Sequence, residues 1–132
     1  MRRRLAGAPV GRLATIDPDG RPNVVPFVFV LDGDTLYTTV DTKPKRTTRL
    51  KRLANIERDP RVTVLVDEYT ERWRSLWWVR VRGSGRLVED GGEAGRGLSL
   101  LRAKYSQYEG TDPGEVVIAI DAEDWSAWEW DA

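Results

Sequence analysis

The chain has 132 residues, 40% hydrophobic and 32% charged, and its 21 Lys and Arg balance 21 Asp and Glu, a profile that fits one folded domain over residues 1–132. It has neither cysteine nor histidine, which excludes disulfides, zinc–thiolate centres and every Ser–His or Cys–His nucleophile. Neutral net charge argues against nucleic-acid binding, and "MRRRLAGAPVGRL" carries no apolar run long enough for a signal peptide or membrane span, so cytoplasmic residence away from membranes is expected.

Residues 2–9 predict a short helix ended by Pro9, and "GRLATID" (11–17) alternates as a strand does. "DPDGR" (17–21) is a turn with Gly20 free to take positive φ. "NVVPFVFVLD" (23–32) reads as one strand, in which Pro26 cannot donate to a ladder and so marks an edge, a bulge or an open seam. "DGD" (32–34) is a second tight turn and "TLYTTV" (35–40) closes a three-strand meander. A helix follows, with Thr42 as N-cap, Pro44 in the first turn, and Thr47, Leu50, Leu53 and Ala54 on one face. "RDPR" (58–61) stops it. "VTVLVDEY" (62–69) and "LWWVRVRGSGRLVE" (76–89) are strands, the second bent at Gly83 or Gly85. A second helix over 92–105 packs through Ala94, Leu98, Leu101 and Tyr105, and "VVIAIDAEDWSAWEW" ends the chain as a strand plus an aromatic tail. Six strands joined mostly by short turns pair antiparallel and close most easily into a small barrel flanked by about two helices: a mainly β fold.

The junction 37–46 carries the clearest chemical signal. Tyr37, Thr38, Thr39 and Thr42 offer hydroxyls, and six of the ten residues from Lys43 to Arg52 are Lys or Arg in a neutral chain. A basic run also solvates a helix face. Here, however, the cations begin in the first helical turn, where they oppose the helix dipole. A bound anion would compensate them, and a phosphate at the helix N-terminus is the natural one.

The second signal is "LWWVRVRG". Trp77 and Trp78 are adjacent on a strand and face opposite ways. One fills the barrel, and the other lies outside against a partner or flat ligand, unless both serve core or dimer packing. Arg80 and Arg82 share the face of Trp78. No GxGxxG, Walker loop or metal-ligand cluster is present.

In "VGRLATIDPDGRPNVVPFVF", "LYTTVDTKPKR", "LKRLANIERDPRVTVLVDEY" and "LWWVRVRGSGRLVE" the chain resembles the pyridoxamine-phosphate-oxidase-like split-barrel flavoproteins, and more closely their branch of coenzyme F420-dependent oxidoreductases. The resemblance implies a six-stranded antiparallel split barrel that forms a homodimer, with cofactor grooves at the dimer interface. It implies that Val24, Val25, Pro26 and Phe27 run along the deazaflavin or flavin ring through backbone groups. Tyr37 and Thr38 would sit by the ribityl chain and phosphate, with Thr39 beside them. Lys43 and Lys45 would take the phosphate, with Arg46 nearby. Trp78 falls where oxidase relatives place a polar ring contact from the second subunit, and Trp77 and Arg80 complete the set. The Arg and His that bind the vitamin substrate in the oxidases have no counterpart, so pyridoxamine phosphate oxidase activity is not expected. The implied activity is hydride transfer to a small unsaturated or conjugated substrate with coenzyme F420, or FMN as the alternative, the ring supplying the chemistry that a chain without His and Cys lacks. A non-catalytic cofactor-binding protein is a further alternative.

Overall fold

The computed structural model describes residues 1–40, 47–89, 91–108 and 116–131. Helix α1 spans Arg2–Gly7, and strands β1 to β4 span Gly11–Ile16, Pro22–Phe27, Val30–Asp32 and Thr35–Val40. Helix α2 (Thr47–Arg58) leads into β5 (Arg61–Glu68) and β6 (Trp77–Val88), and α3 (Gly91–Lys104) leads towards β7 (Val116–Glu129). All strands join one antiparallel sheet in the order β2-β1-β5-β6-β7-β4-β3.

The sheet's two edges, β2 and β3, are consecutive in the chain and separated only by Val28 and Phe29. The sheet must therefore curl until its edges meet, which makes a split barrel. This corrects two expectations. The apolar run 23–32 is two strands, so the sheet has seven strands rather than six, and residues 11–40 do not meander: β2 pairs with β1, whereas β3 pairs with β4. Pro26 lies on an edge strand, as its missing N–H requires.

Inward residues alternate along every strand and fill the barrel, among them Leu13, Leu36, Val64, Val79, Val81, Ile118 and Ile120, all fully buried. Helix α1 adds Leu5 to this core, and Ala8 just after the helix joins it. Full burial of a leucine such as Leu5 contributes on the order of 2 kcal/mol. Arg2 and Arg4 of the same helix lie over the rings of Trp125 and Trp77. Helix α2 contributes Leu53 and Ile56. Ala54, expected on its buried face, is exposed, and Asn55 is buried instead. Asn55 Nδ2 donates to Thr15 Oγ1 at 3.1 Å and Asp17 Oδ1 at 3.0 Å, so the helix turns a polar hook rather than a methyl towards β1. Thr42 and Pro44 lie outside the described residues.

Helix α3 packs as its periodicity predicts: Ala94, Leu98, Leu101 and Tyr105 join Val30, Tyr37, Val88, Val117 and Ala119 in a second cluster. The expected bend in β6 is a register shift between Arg82 and Gly83, where a Cβ on Gly83 would overlap the backbone carbonyl of Asp121. The C-terminal aromatic stretch is no separate tail, because β7 continues to Glu129 and sets Trp128 opposite Trp78. Among the described residues no helix is long and apolar enough to cross a membrane.

Candidate functional site

The site is built from the seam outward. At the seam the backbone has left one sheet edge and not yet joined the other, so side chains satisfy it. Thr38 Oγ1 donates to Val28 O at 2.7 Å. Phe29 N donates to the Tyr105 hydroxyl, which also lies 2.9 Å from Phe29 O and 3.0 Å from Pro9 O. Lys104 Nζ donates to Phe29 O at 2.8 Å and sits 4.2 Å above the Phe29 ring. No carboxylate pairs with Lys104 among the described residues, and burial pushes its ammonium down to about 8.

Strand β2 leaves the seam as a sheet edge whose far side meets no other strand among the described residues. Val24 and Pro26 face outward and are exposed, Val25 is half-buried, and Phe27 is buried and stacked on Phe29 at 5.1 Å. A flat body laid along this edge would meet backbone groups that pair with no strand among the described residues and two apolar side chains, Val24 and Pro26. Lys43, Lys45 and Arg46 lie outside the described residues, between the end of β4 and the start of α2.

The hydroxyl-bearing residues of β4 are engaged inside the fold. Tyr37 is 4% exposed under α3, and its hydroxyl donates to Glu93 Oε2 at 2.8 Å. Burial, reinforced by that carboxylate, raises the phenol to about 12. Glu93 is also gripped by both terminal nitrogens of Arg86 at 2.8 Å, and Arg86 Nε donates to Asp121 Oδ2 at 2.7 Å. Arg86, followed by Tyr37, holds Glu93 down at about 2. Thr38, on the opposite face of β4, is spent on the seam. Thr39 is half-buried on the α3 side. The structure thus commits the hydroxyls of Tyr37 and Thr38 to contacts inside the fold, Tyr37 under α3 and Thr38 at the seam.

Trp77 and Trp78 do face opposite ways. Trp77 packs against the barrel core, with Nε1 donating to Glu68 Oε2 at 3.2 Å. Trp78 is on the outer face with Arg80, whose guanidinium lies 5.2 Å from its ring centre. The sheet register places Pro26, Arg12, Leu65, Arg80 and Ser126 in one lateral row across five strands. Three strand spacings separate β2 from β6, roughly 14 Å. A single tricyclic ring on β2 therefore does not reach Trp78 or Arg80 of the same chain.

The sequence reading missed Glu93, Arg86 and Asp121 as a clamp on Tyr37, and Lys104 with Tyr105 at the seam. Their partners lie 56 and 76 residues away, so no local spacing announces them. Among the described residues no acidic cluster suits a metal ion.

The family model described as pyridoxamine 5'-phosphate oxidase matches residues 1–129. A FAD-binding protein from Mesorhizobium loti is 29% identical with a TM-score of 0.70, the match covering 96% of this chain and 89% of that one. An F420 reductase is 27% identical with a TM-score of 0.66, covering 95% and 94%. The haem storage protein HutZ from Vibrio cholerae has the same fold at 15% identity, with a TM-score of 0.70 and coverage of 97% and 90%. No curated protein matches the chain.

Proposed function

The chain belongs to the pyridoxamine 5'-phosphate oxidase family, and from that premise we propose that it is a coenzyme F420-dependent oxidoreductase acting on a small unsaturated or conjugated molecule. FMN is the alternative cofactor. The observation that carries the reading is the free edge of β2, with Val24 and Pro26 outward and the edge continuous with the seam. The similarity to an F420 reductase over nearly the whole of both chains supports the deazaflavin, and the similarity to a FAD-binding protein supports a flavin-type ring more broadly.

When bound, the deazaflavin supplies the hydride acceptor or donor. The chain's own contribution is placement. The β2 backbone aligns the ring, and the stacked pair Phe27 and Phe29 stiffens the strand from inside. Lys43, Lys45 and Arg46 neutralise the phosphate. The seam contacts from Thr38, Lys104 and Tyr105 fix where β2 ends, and with it the position of the edge that would take the ring.

The reading includes a homodimer. Since β2 and Trp78 of one chain are too far apart to share a ring, a site that uses both takes them from two copies. The outer sheet face supplies apolar surface for this, with Val24 at 61% exposure and Trp128 at 38%.

Titration of the purified protein with coenzyme F420 and with FMN, followed by tryptophan quenching, tests the proposal. Micromolar binding of F420, about −8 kcal/mol, and weaker binding of FMN are expected. Binding without reduction of any conjugated acceptor would favour a non-catalytic carrier, and failure of both cofactors to bind would remove the proposal.

A further inference from the structure

The chain carries seventeen arginines and four lysines, and three of the lysines fall within residues 43–51. The fourth, Lys104, is the last residue of α3, beside the seam. Its surroundings differ from those of the cations nearby in the sheet and helix. Arg86 grips Glu93 and Asp121, and Arg96 grips Asp32. Lys104 pairs with no carboxylate among the described residues. Burial is the cause that acts on its ammonium, and no charge on α1, on the link between β2 and β3 or on α3 itself offsets it. The titratable group it touches is the Tyr105 phenol, whose ring centre lies 5.2 Å from Nζ, while the Phe29 ring centre lies at 4.2 Å.

Hydrogen bonding leaves this nitrogen underused. Its acceptor among the described residues is Phe29 O, at 2.8 Å. An ammonium has three donors to place and no lone pair, whereas a neutral amine makes the same bond and keeps a lone pair free. The seam does not depend on Lys104 alone, because the Tyr105 hydroxyl lies 2.9 Å from the same oxygen and leaves it a donor when the lysine turns away. An arginine here would keep a permanent charge; lysine is the cation that becomes a nucleophile when desolvated. Burial brings Lys104 down to about 8, so roughly a tenth of it is free amine at pH 7. The residue is half-buried rather than enclosed, which leaves a small molecule access.

We infer that Lys104 Nζ is a covalent capture site for small aromatic aldehydes, which it holds as imines. The nitrogen lone pair adds to the carbonyl carbon, and the two amine hydrogens leave with the carbonyl oxygen as water, so the step needs no oxidant or reductant. The half-buried ring of Tyr105 beside Nζ gives an aromatic aldehyde an apolar surface that a short aliphatic one uses poorly. The inference is independent of the cofactor reading.

Salicylaldehyde is the probe, with cyanoborohydride to fix the imine as a secondary amine and peptide mass mapping to locate it. At pH 7 Lys104 should be labelled at least tenfold faster than Lys43, Lys45 or Lys51. That advantage should shrink as pH rises above 8, where ordinary amines also begin to lose their protons. It should vanish in urea, where the seam is gone. The preference for salicylaldehyde over propionaldehyde should be at least fivefold greater at Lys104 than at Lys51. Lys104→Arg, shown by a thermal melt to be folded, should leave the slow lysines and the α-amino group as the reactive amines; if that variant does not fold, the wild-type map decides. Equal labelling of the four lysines would overturn the inference, as would an advantage that persists in urea or grows above pH 8. Equal aldehyde preference at Lys104 and Lys51 would overturn the assignment to aromatic aldehydes.

Discussion

Thr38 on β4 donates its hydroxyl to the carbonyl of Val28 at 2.7 Å, and this bond ties the short link between the two sheet edges to the strand beside edge strand β3. Thr38 is 1% exposed, so a Val in its place would set a methyl rather than a donor against this carbonyl. Thr38→Val keeps the shape and leaves the acceptor orphaned. It should cost about 1–3 kcal/mol in a urea unfolding titration. A loss of cofactor affinity larger than the fraction unfolded explains should accompany it, because β2 ends at this seam.

Gly95 and Gly97 sit two residues apart on α3 and should respond oppositely to alanine. A Cβ on Gly95 meets nothing within 4 Å, so Gly95→Ala should gain about 1 kcal/mol from helix propensity alone. A Cβ on Gly97 would lie 3.1 Å from two ring carbons of Tyr37, which is buried and tied to Glu93. Gly97→Ala should therefore lower the melting temperature while Gly95→Ala raises it. A rise in both would show that α3 can retreat from the sheet.

Three titrations shape stability against pH. Glu93 is held at about 2 against an ordinary 4.5, so its contribution is complete above 4.5 and drains away as pH falls towards 2. Tyr37 is raised to about 12 from 10.0, so its contribution is complete below 10 and is lost as pH climbs through 12. Lys104 runs the other way: depressed from 10.5 to about 8, it opposes folding below 8 and is relieved between 8 and 10.5. Melting temperatures from pH 2 to 11 should show this, with Glu93→Gln flattening the acid limb and Lys104→Met removing the gain above pH 8.

The proposed dimer uses the outer sheet face. Val24→Asp puts a charge on its most exposed aliphatic residue and should shift the protein from dimer to monomer at micromolar concentration in sedimentation velocity. Wild-type protein that sediments as a monomer would remove the two-copy site, and with it the role of Trp78 beside the partner's ring.

Much of the barrel was legible because strand burial writes a period of two into the sequence. Leu13 and Thr15, Val62 to Val66, and Val79 with Val81 all alternate. The opposed faces of Trp77 and Trp78 follow from the same rule, and the irregularity at Gly83 follows from glycine in a strand. The break at Val28 and Phe29 was not legible. A β-branched and aromatic run looks alike whether the chain stays in one ladder or crosses to the opposite edge, and the groups that enforce the crossing, Lys104 and Tyr105, are distant in sequence. Pro26 gave the hint of an edge without its location. The candidate site divided the same way. The hydrogen-bonding character of Tyr37 and Thr38 was readable, whereas their commitment to Glu93 and to Val28 depended on tertiary packing, and Lys43 and Lys45 lie outside the described residues.

The central claim is that the basic residues flanking Pro44 neutralise the phosphate of a ring cofactor aligned on β2. The most direct measurement compares F420 affinity in the wild type and in Lys45→Glu by tryptophan quenching, with thermal melts as the control for folding. The account predicts micromolar binding in the wild type and none detectable in the variant, at an unchanged melting temperature. Equal affinity in the two proteins would contradict it.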